Sequence, residues 1–137
     1  MRRSSSFDGM RCNIAHALQA IGDEWSFLII RDAMKGMSRY DEFLESLGIS
    51  PTVLSRRLSS LVDAGILEKM RYSDRPQRFE YVLTDAGRDL ELVIASLDYW
   101  GHEHLSSDDP KLPTPPTVHA ERAIRRWFDR SAATSSD

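Results

Sequence analysis

The chain has 137 residues, 41% hydrophobic and 28% charged, with mean hydropathy −0.42, which fits one compact domain of about 100 to 150 residues and excludes a wholly disordered or membrane-embedded chain. Apolar runs such as Phe27–Ile30 fall far short of the roughly 20 residues that span a bilayer, and the polar start Met1–Ser6 has no signal-peptide core. The formal charge of −3 and pI near 5.8 exclude a protein that coats nucleic acid nonspecifically, but the charge is segregated: residues 50–80 carry six Lys/Arg against four Asp/Glu, and residues 81–120 carry two against seven.

After a polar arm over residues 1–9, Met10, Ile14, Leu18 and Ile21 recur at helical spacing, with Asp8 available as N-cap. The spacing predicts a first helix, and the lone Cys12, which cannot form an internal disulfide, fits a reducing, cytoplasmic setting. Asp23 can cap a second helix that is apolar on most sides, Trp25 through Met34, and ends at Gly36. Ser38 is placed to cap a third, with Tyr40, Phe43, Leu44 and Leu47 on one stripe and Gly48 where a left-handed C-cap is needed. Ser50-Pro51 is a strong start signal for a fourth helix over about 50–64, because serine accepts an orphan backbone N–H and proline at the first position loses no bond.

Leu54, Leu58, Leu61 and Val62 line one side of that fourth helix and leave Thr52, Ser55, Arg56, Ser59 and Asp63 outside. Two short helices joined by Leu47-Gly48-Ile49 are the sequence form of a helix-turn-helix, whose second helix faces a DNA groove. Ile66–Tyr72 and Arg78–Leu83 read as the strands of a hairpin around the polar loop Ser73–Gln77. Thr84 then caps a fifth helix to about Leu105, about 30 Å long, with Leu90, Val93, Ile94, Leu97, Trp100 and Gly101 on one stripe. Pro110, Pro113, Pro115 and Pro116 mark a linker over 107–117, before an amphipathic helix over 118–130, with Ala120, Ala123, Ile124, Trp127 and Phe128 on one face, and a flexible tail over 131–137.

In this order the residues resemble the HxlR-type winged-helix regulators of the MarR-like group. The resemblance is carried by Ala17–Arg31 (ALQAIGDEWSFLIIR), Ser38–Phe43, Gly48–Pro51, Leu54–Leu58 and Ala64–Leu67, then by Pro76, Tyr81–Gly87 and Trp100-Gly101. It covers roughly residues 12 to 101, about two-thirds of the chain, and departs from the family pattern at Asn13, where a proline is common, and at Asp23-Glu24, where Gly-Lys is usual. It implies an α+β winged helix-turn-helix, mostly helical with a two-stranded wing, a long dimerisation helix and an extra C-terminal helix. It also implies a homodimer closed through the first and last helices of a domain over residues 10–106, here Ile14, Leu18, Leu90, Val93, Ile94, Leu97 and Trp100.

The implied partner is a double-stranded, two-fold symmetric DNA operator, with repression as the expected outcome of occupancy. Arg56 and Arg57 supply charge for phosphates, while Ser50, Thr52, Ser55 and Ser59 are short enough to let the helix enter a major groove. Arg75 and Arg78 flank the wing loop within reach of a minor groove or its phosphates, and Arg39 stands at the start of the third helix. A solvated helix face and a hairpin tip kept polar for solubility are the plainer readings of the same residues.

Cys12, read as four residues beyond Asp8 with Arg11 adjacent, is either a small packed hydrophobe or a thiolate stabilised by the helix dipole. Some HxlR-type regulators sense oxidants or electrophiles through a cysteine in this position. Tyr99, Trp100, Trp127 and Phe128 could instead line a small apolar effector's site, although core packing accounts for them too. His102 and His104 fall on different sides of a helix, so no metal is expected. No cofactor is expected, and catalytic motifs are absent from the sequence, so the chain reads as a non-enzyme. A winged-helix protein-interaction module that binds no DNA is the rival class, motivated by the acidic pI and the aromatic C-terminal segment.

Overall fold

The computed structural model describes residues 9–105 and 117–134. Asp8, nearly all of the expected arm, residues 107–116 of the expected linker and the last three residues lie outside that range. The chain divides into two compact units, Met1–Arg88 and Asp89–Asp137.

The first unit runs α1 (Asn13–Ile21), α2 (Ser26–Met34), α3 (Tyr40–Leu47), α4 (Pro51–Asp63), the antiparallel hairpin β1 (Leu67–Asp74) and β2 (Gln77–Leu83), and the single turn α5 (Asp85–Arg88). Its core is built from helical stripes. Ile29 and Ile30 of α2, Phe43 of α3 and Leu54, Leu58 and Leu61 of α4 are fully buried, each contributing about 1.5–3 kcal/mol of transfer free energy. The i, i+4, i+7 spacing of the three leucines puts them on one side of α4 and leaves the opposite side to solvent.

Among the described residues, Asp32 is the one charged group buried in this core. Its carboxylate accepts from Arg31 Nε (3.0 Å) and from the Ser46 hydroxyl (2.7 Å), which ties α2 to α3 and offsets the cost of burying the charge. Both α2 and α4 end at glycine, α2 at the expected Gly36 and α4 at Gly65. Gly36 (φ 100) and Gly65 (φ 75) adopt the left-handed conformation, and paired bonds from Gly36 N–H to Ala33 O and from Met37 N–H to Asp32 O complete a Schellman motif, repeated by Gly65 and Ile66.

Several expectations need correction. The first helix starts at Asn13, with Cys12 as its N-cap in extended conformation, so Cys12 precedes the helix. The His16 Nε2–H bond to the Met10 carbonyl (2.8 Å) holds Met10 outside the helix. Second, the N-cap of α3 is Arg39. Ser38 is occupied by the wing: its carbonyl accepts the Tyr81 N–H (2.6 Å) and its hydroxyl donates to Glu80 (3.1 Å).

Third, the hairpin loop contains two residues, Arg75 and Pro76, because Ser73 and Asp74 pair with Arg78 and Gln77 beyond a bulge at Tyr72. Fourth, the expected fifth helix is two helices broken at Asp89-Leu90, without a glycine or proline at the break. Thr84 donates its hydroxyl to the carbonyls of Gly65 (2.6 Å) and Ile66 (3.1 Å) and accepts the Gly87 N–H (3.1 Å), pinning α5 to the base of the hairpin.

The second unit contains α6 (Glu91–Leu105) and α7 (Thr117–Thr134), which pack together and are joined by ion pairs Arg126–Glu91 and Arg130–Asp89. The last helix is longer than expected at both ends: Thr117 and 131–134 are helical, and at the C-terminal end Ala132 and Ala133 favour its continuation. Four helices, of which α3 and α4 form a helix-turn-helix, followed by a two-stranded wing, make the first unit a winged helix.

Candidate nucleic-acid interface

The turn between α3 and α4 sets the exposed face of α4. Gly48 (φ 60) takes the left-handed conformation that ends α3, and the Ser50 hydroxyl accepts the Val53 N–H (3.3 Å) with Pro51 in the first helical position. Thr52, Ser55, Arg56 and Ser59 are all exposed, with Ser50 at the head of the row. Spaced i, i+3, i+4 and i+7, they form one continuous strip of short hydroxyls and a guanidinium. Such a strip can approach base edges closely while it donates and accepts hydrogen bonds.

Arg57 does not belong to that strip. Its side chain is 22% exposed and its Nε lies 3.4 Å from Asp23 at the α1–α2 turn. Being next to Arg56 rotates it about 100° around the helix, and Asp23, 34 residues earlier, supplies the countercharge. Burial pushes the Asp23 carboxyl up, but the Ser26 hydroxyl and N–H, the Arg57 guanidinium and the Trp25 N–H outweigh it and hold the group below its ordinary value. Arg57 thus anchors α4 to the preceding helices.

Tyr40 was missed in the sequence, where it counted as one more apolar position of α3. Its hydroxyl reaches the first turn of α4, donating to the Pro51 carbonyl (3.0 Å), and the Ser55 hydroxyl lies 3.4 Å from it. A tyrosine where the stripe needs only a ring was the available signal.

Beside α4 the wing carries a second group of cations. Arg75 in the turn and Arg78 at the start of β2 are both exposed. Lys69 and Arg71, which sequence reasoning did not select, sit across from Tyr81 and Phe79, with the Lys69 ammonium 4.3 Å and the Arg71 guanidinium 5.7 Å from the Phe79 ring. Cross-strand register creates this pairing, and strand alternation was its only trace in the sequence. Arg39 is also committed to the hairpin: its guanidinium stacks 4.7 Å from the Tyr72 ring, next to the bridge between Arg39 and Glu80.

The other candidate residues lie apart from this face. Cys12 is half-buried at the head of α1. On α1, Ile14 is 71% exposed and Leu18 is exposed beside it, although both are large and apolar. In the second unit Val93, Leu97 and Trp100 are exposed, with Leu90 and Ile94 half-buried. Among the described residues, no group of three His, Cys, Asp or Glu side chains could hold a metal ion, and no helix is long and apolar enough to cross a membrane.

Comparison with known proteins bears on the same region. The family described as HxlR-like helix-turn-helix matches residues 20–109. An uncharacterized HTH-type transcriptional regulator of Mycobacterium tuberculosis is 41% identical over 102 residues, 74% of this chain; the match spans 63% of that relative's length, less than two-thirds. The crystal structure of PA1607, described as a candidate transcription factor, superposes with a TM-score of 0.73 at 35% identity over 80% of this chain and 76% of its own. The redox regulator HypR in its reduced form gives a TM-score of 0.65 at 28% identity over 71% of this chain and 95% of its own.

Proposed function

Because the chain belongs to the HxlR-like helix-turn-helix family, we propose that it is a homodimeric transcriptional repressor that reads a two-fold symmetric operator. In this reading α4 enters the major groove, and Arg75 and Arg78 of the wing contact the adjacent minor groove or its phosphates. The observation that supports it is the exposed strip Thr52–Ser55–Arg56–Ser59 on a helix whose opposite side is fully buried. The net charge of −3 fits a protein whose affinity is concentrated on this one face.

Dimerisation through residues 10–106 uses Ile14 and Leu18 of α1 with Leu90, Val93, Ile94, Leu97 and Trp100. Leaving so much apolar surface exposed is costly in water unless a second copy covers it. Two recognition helices then lie about 34 Å apart, one DNA turn. Fluorescence anisotropy with duplexes selected from a random library tests the DNA reading. Arg56→Ala is expected to change the preferred sequence and to cost about tenfold or more in affinity for the wild-type choice; unchanged affinity and preference refute the assignment of α4.

A second reading concerns the signal. Cys12 caps α1 and is half-buried, and the chain resembles a redox regulator whose structure is known in oxidized and reduced forms. Modification of the Cys12 sulfur by peroxide or a quinone is therefore proposed to weaken DNA binding by altering the α1 end of the dimer. The Cys12→Ser variant is expected to keep its affinity under oxidant while the wild type loses it; equal responses remove Cys12 from the mechanism.

A further inference from the structure

Two hydrogen bonds at the start of α4 determine which protons its outer face can offer. Tyr40 Oη is 3.0 Å from the Pro51 carbonyl oxygen, and Ser55 Oγ is 3.4 Å from Tyr40 Oη. A carbonyl oxygen can only accept, so the one tyrosine proton points at Pro51. Toward Ser55, Tyr40 is then the acceptor, and Ser55 must donate. The alternatives for a serine in a helix are the carbonyls three and four residues earlier, Thr52's and Pro51's; Pro51's already takes the helical Ser55 N–H and the Tyr40 hydroxyl, and the hydrogen bond that Ser55 Oγ makes is to Tyr40.

We infer that Tyr40 is a positioning residue that makes Ser55 a hydrogen-bond acceptor on the DNA-reading face, biasing the operator toward a base with an exocyclic amino group beneath it. With its proton turned toward Tyr40 (3.4 Å), the exposed Ser55 oxygen presents its lone pairs outward. In the major groove adenine N6 and cytosine N4 offer donors, whereas guanine O6 and N7 and thymine O4 offer acceptors. A freely rotating serine reads either kind; this one is biased toward a donor and against an acceptor. Arg56, the next residue, is purely a donor, so neighbouring positions on α4 carry opposite hydrogen-bonding character.

This inference rests on the proposed docking of α4, and the experiment separates the two. Wild type, Tyr40→Phe, Ser55→Ala, Ser55→Thr and the double variant Tyr40→Phe/Ser55→Ala are each used to select from randomised duplexes, and the selected sites are titrated. Wild type is expected to enrich adenine or cytosine at one position per half-site, a preference that Ser55→Ala abolishes and Ser55→Thr retains. Tyr40→Phe, which keeps the ring, is expected to admit guanine or thymine there, with discrimination falling about three- to tenfold, the worth of one hydrogen bond. In the Ser55→Ala background the same change should do nothing further at that position.

Enrichment of guanine or thymine at the serine-dependent position overturns the inference and leaves the docking of α4 intact. So does a wild-type preference that survives Tyr40→Phe, or enrichment that Ser55→Ala does not alter. Absence of any enriched sequence with wild type overturns the operator reading and this inference with it.

Discussion

Among the described residues, Gly87 is, with Gly22, one of two glycines where an added methyl group meets a backbone carbonyl under 3.0 Å away. It is buried, and a Cβ there would stand under 3.0 Å from the Ile66 carbonyl oxygen, 3.0 Å from Leu83 Cδ2 and 3.3 Å from the Ile66 carbonyl carbon. Relieving the contact means lifting α5 off the hairpin base, where the Ile66 carbonyl accepts both the Thr84 N–H (3.0 Å) and the Thr84 hydroxyl (3.1 Å). Overpacking costs about 1–3 kcal/mol and each weakened bond about 1 kcal/mol. Alanine's better helix propensity returns up to about 1 kcal/mol.

The net expectation for Gly87→Ala is a loss of about 2–3 kcal/mol. At about 2.1 cal/mol/K per residue of unfolding entropy, a chain of 137 residues shifts its Tm by about 3.5 °C per kcal/mol, so the variant should melt about 7–10 °C lower. Thermal unfolding followed by far-UV circular dichroism measures this. Ala86→Gly, exposed on the same turn, is the control and should cost about 1 kcal/mol at most. A Gly87→Ala protein that melts with the wild type or above it would refute the close-approach argument and leave helix propensity as the governing effect.

Asp32→Ala removes the acceptor that ties the exposed Ser46 hydroxyl of α3 to α2, while Ser46 and the partly exposed Arg31 can both turn to water, and is expected to cost about 1–1.5 kcal/mol by denaturant titration; a loss under about 0.5 kcal/mol contradicts the bridging role of Asp32. For Asp23 the folded carboxyl lies below its ordinary 3.8, so its contribution is present above that pH and fades as pH falls through the folded value. The stability gap between wild type and Asp23→Asn should therefore be full near neutral pH and shrink below about pH 4; a gap that widens in acid reverses the sign. Arg75→Ala is expected to weaken binding to all duplexes similarly and to reduce the slope of log affinity against log salt by about 1, read from anisotropy titrations at several salt concentrations. An unchanged slope takes Arg75 off the phosphates.

Signals confined to a few neighbouring residues were legible before any coordinates. Ser50-Pro51 starts α4, and Gly36, Gly48 and Gly65 end helices, because a cap needs only a short side chain or a left-handed backbone within its own turn. The inward row Leu54, Leu58 and Leu61 follows from helical period, and with it the outward position of Thr52, Ser55, Arg56 and Ser59. The order of these elements was enough for the winged helix and its family.

What tertiary structure decided are the pairings between residues far apart in the chain. Asp23 draws Arg57 off the reading face, Glu80 and Tyr81 occupy Ser38 so that α3 begins one residue later, and Tyr40 reaches across to Pro51 and Ser55. The hold of Thr84 on the Gly65 and Ile66 carbonyls, which fastens α5 to the base of the hairpin, is of the same kind. Helical period and capping are properties of contiguous backbone and can be read from spacing; the direction of an arginine or the proton of a hydroxyl depends on which distant partner the fold brings within about 3 Å, and spacing carries no record of that.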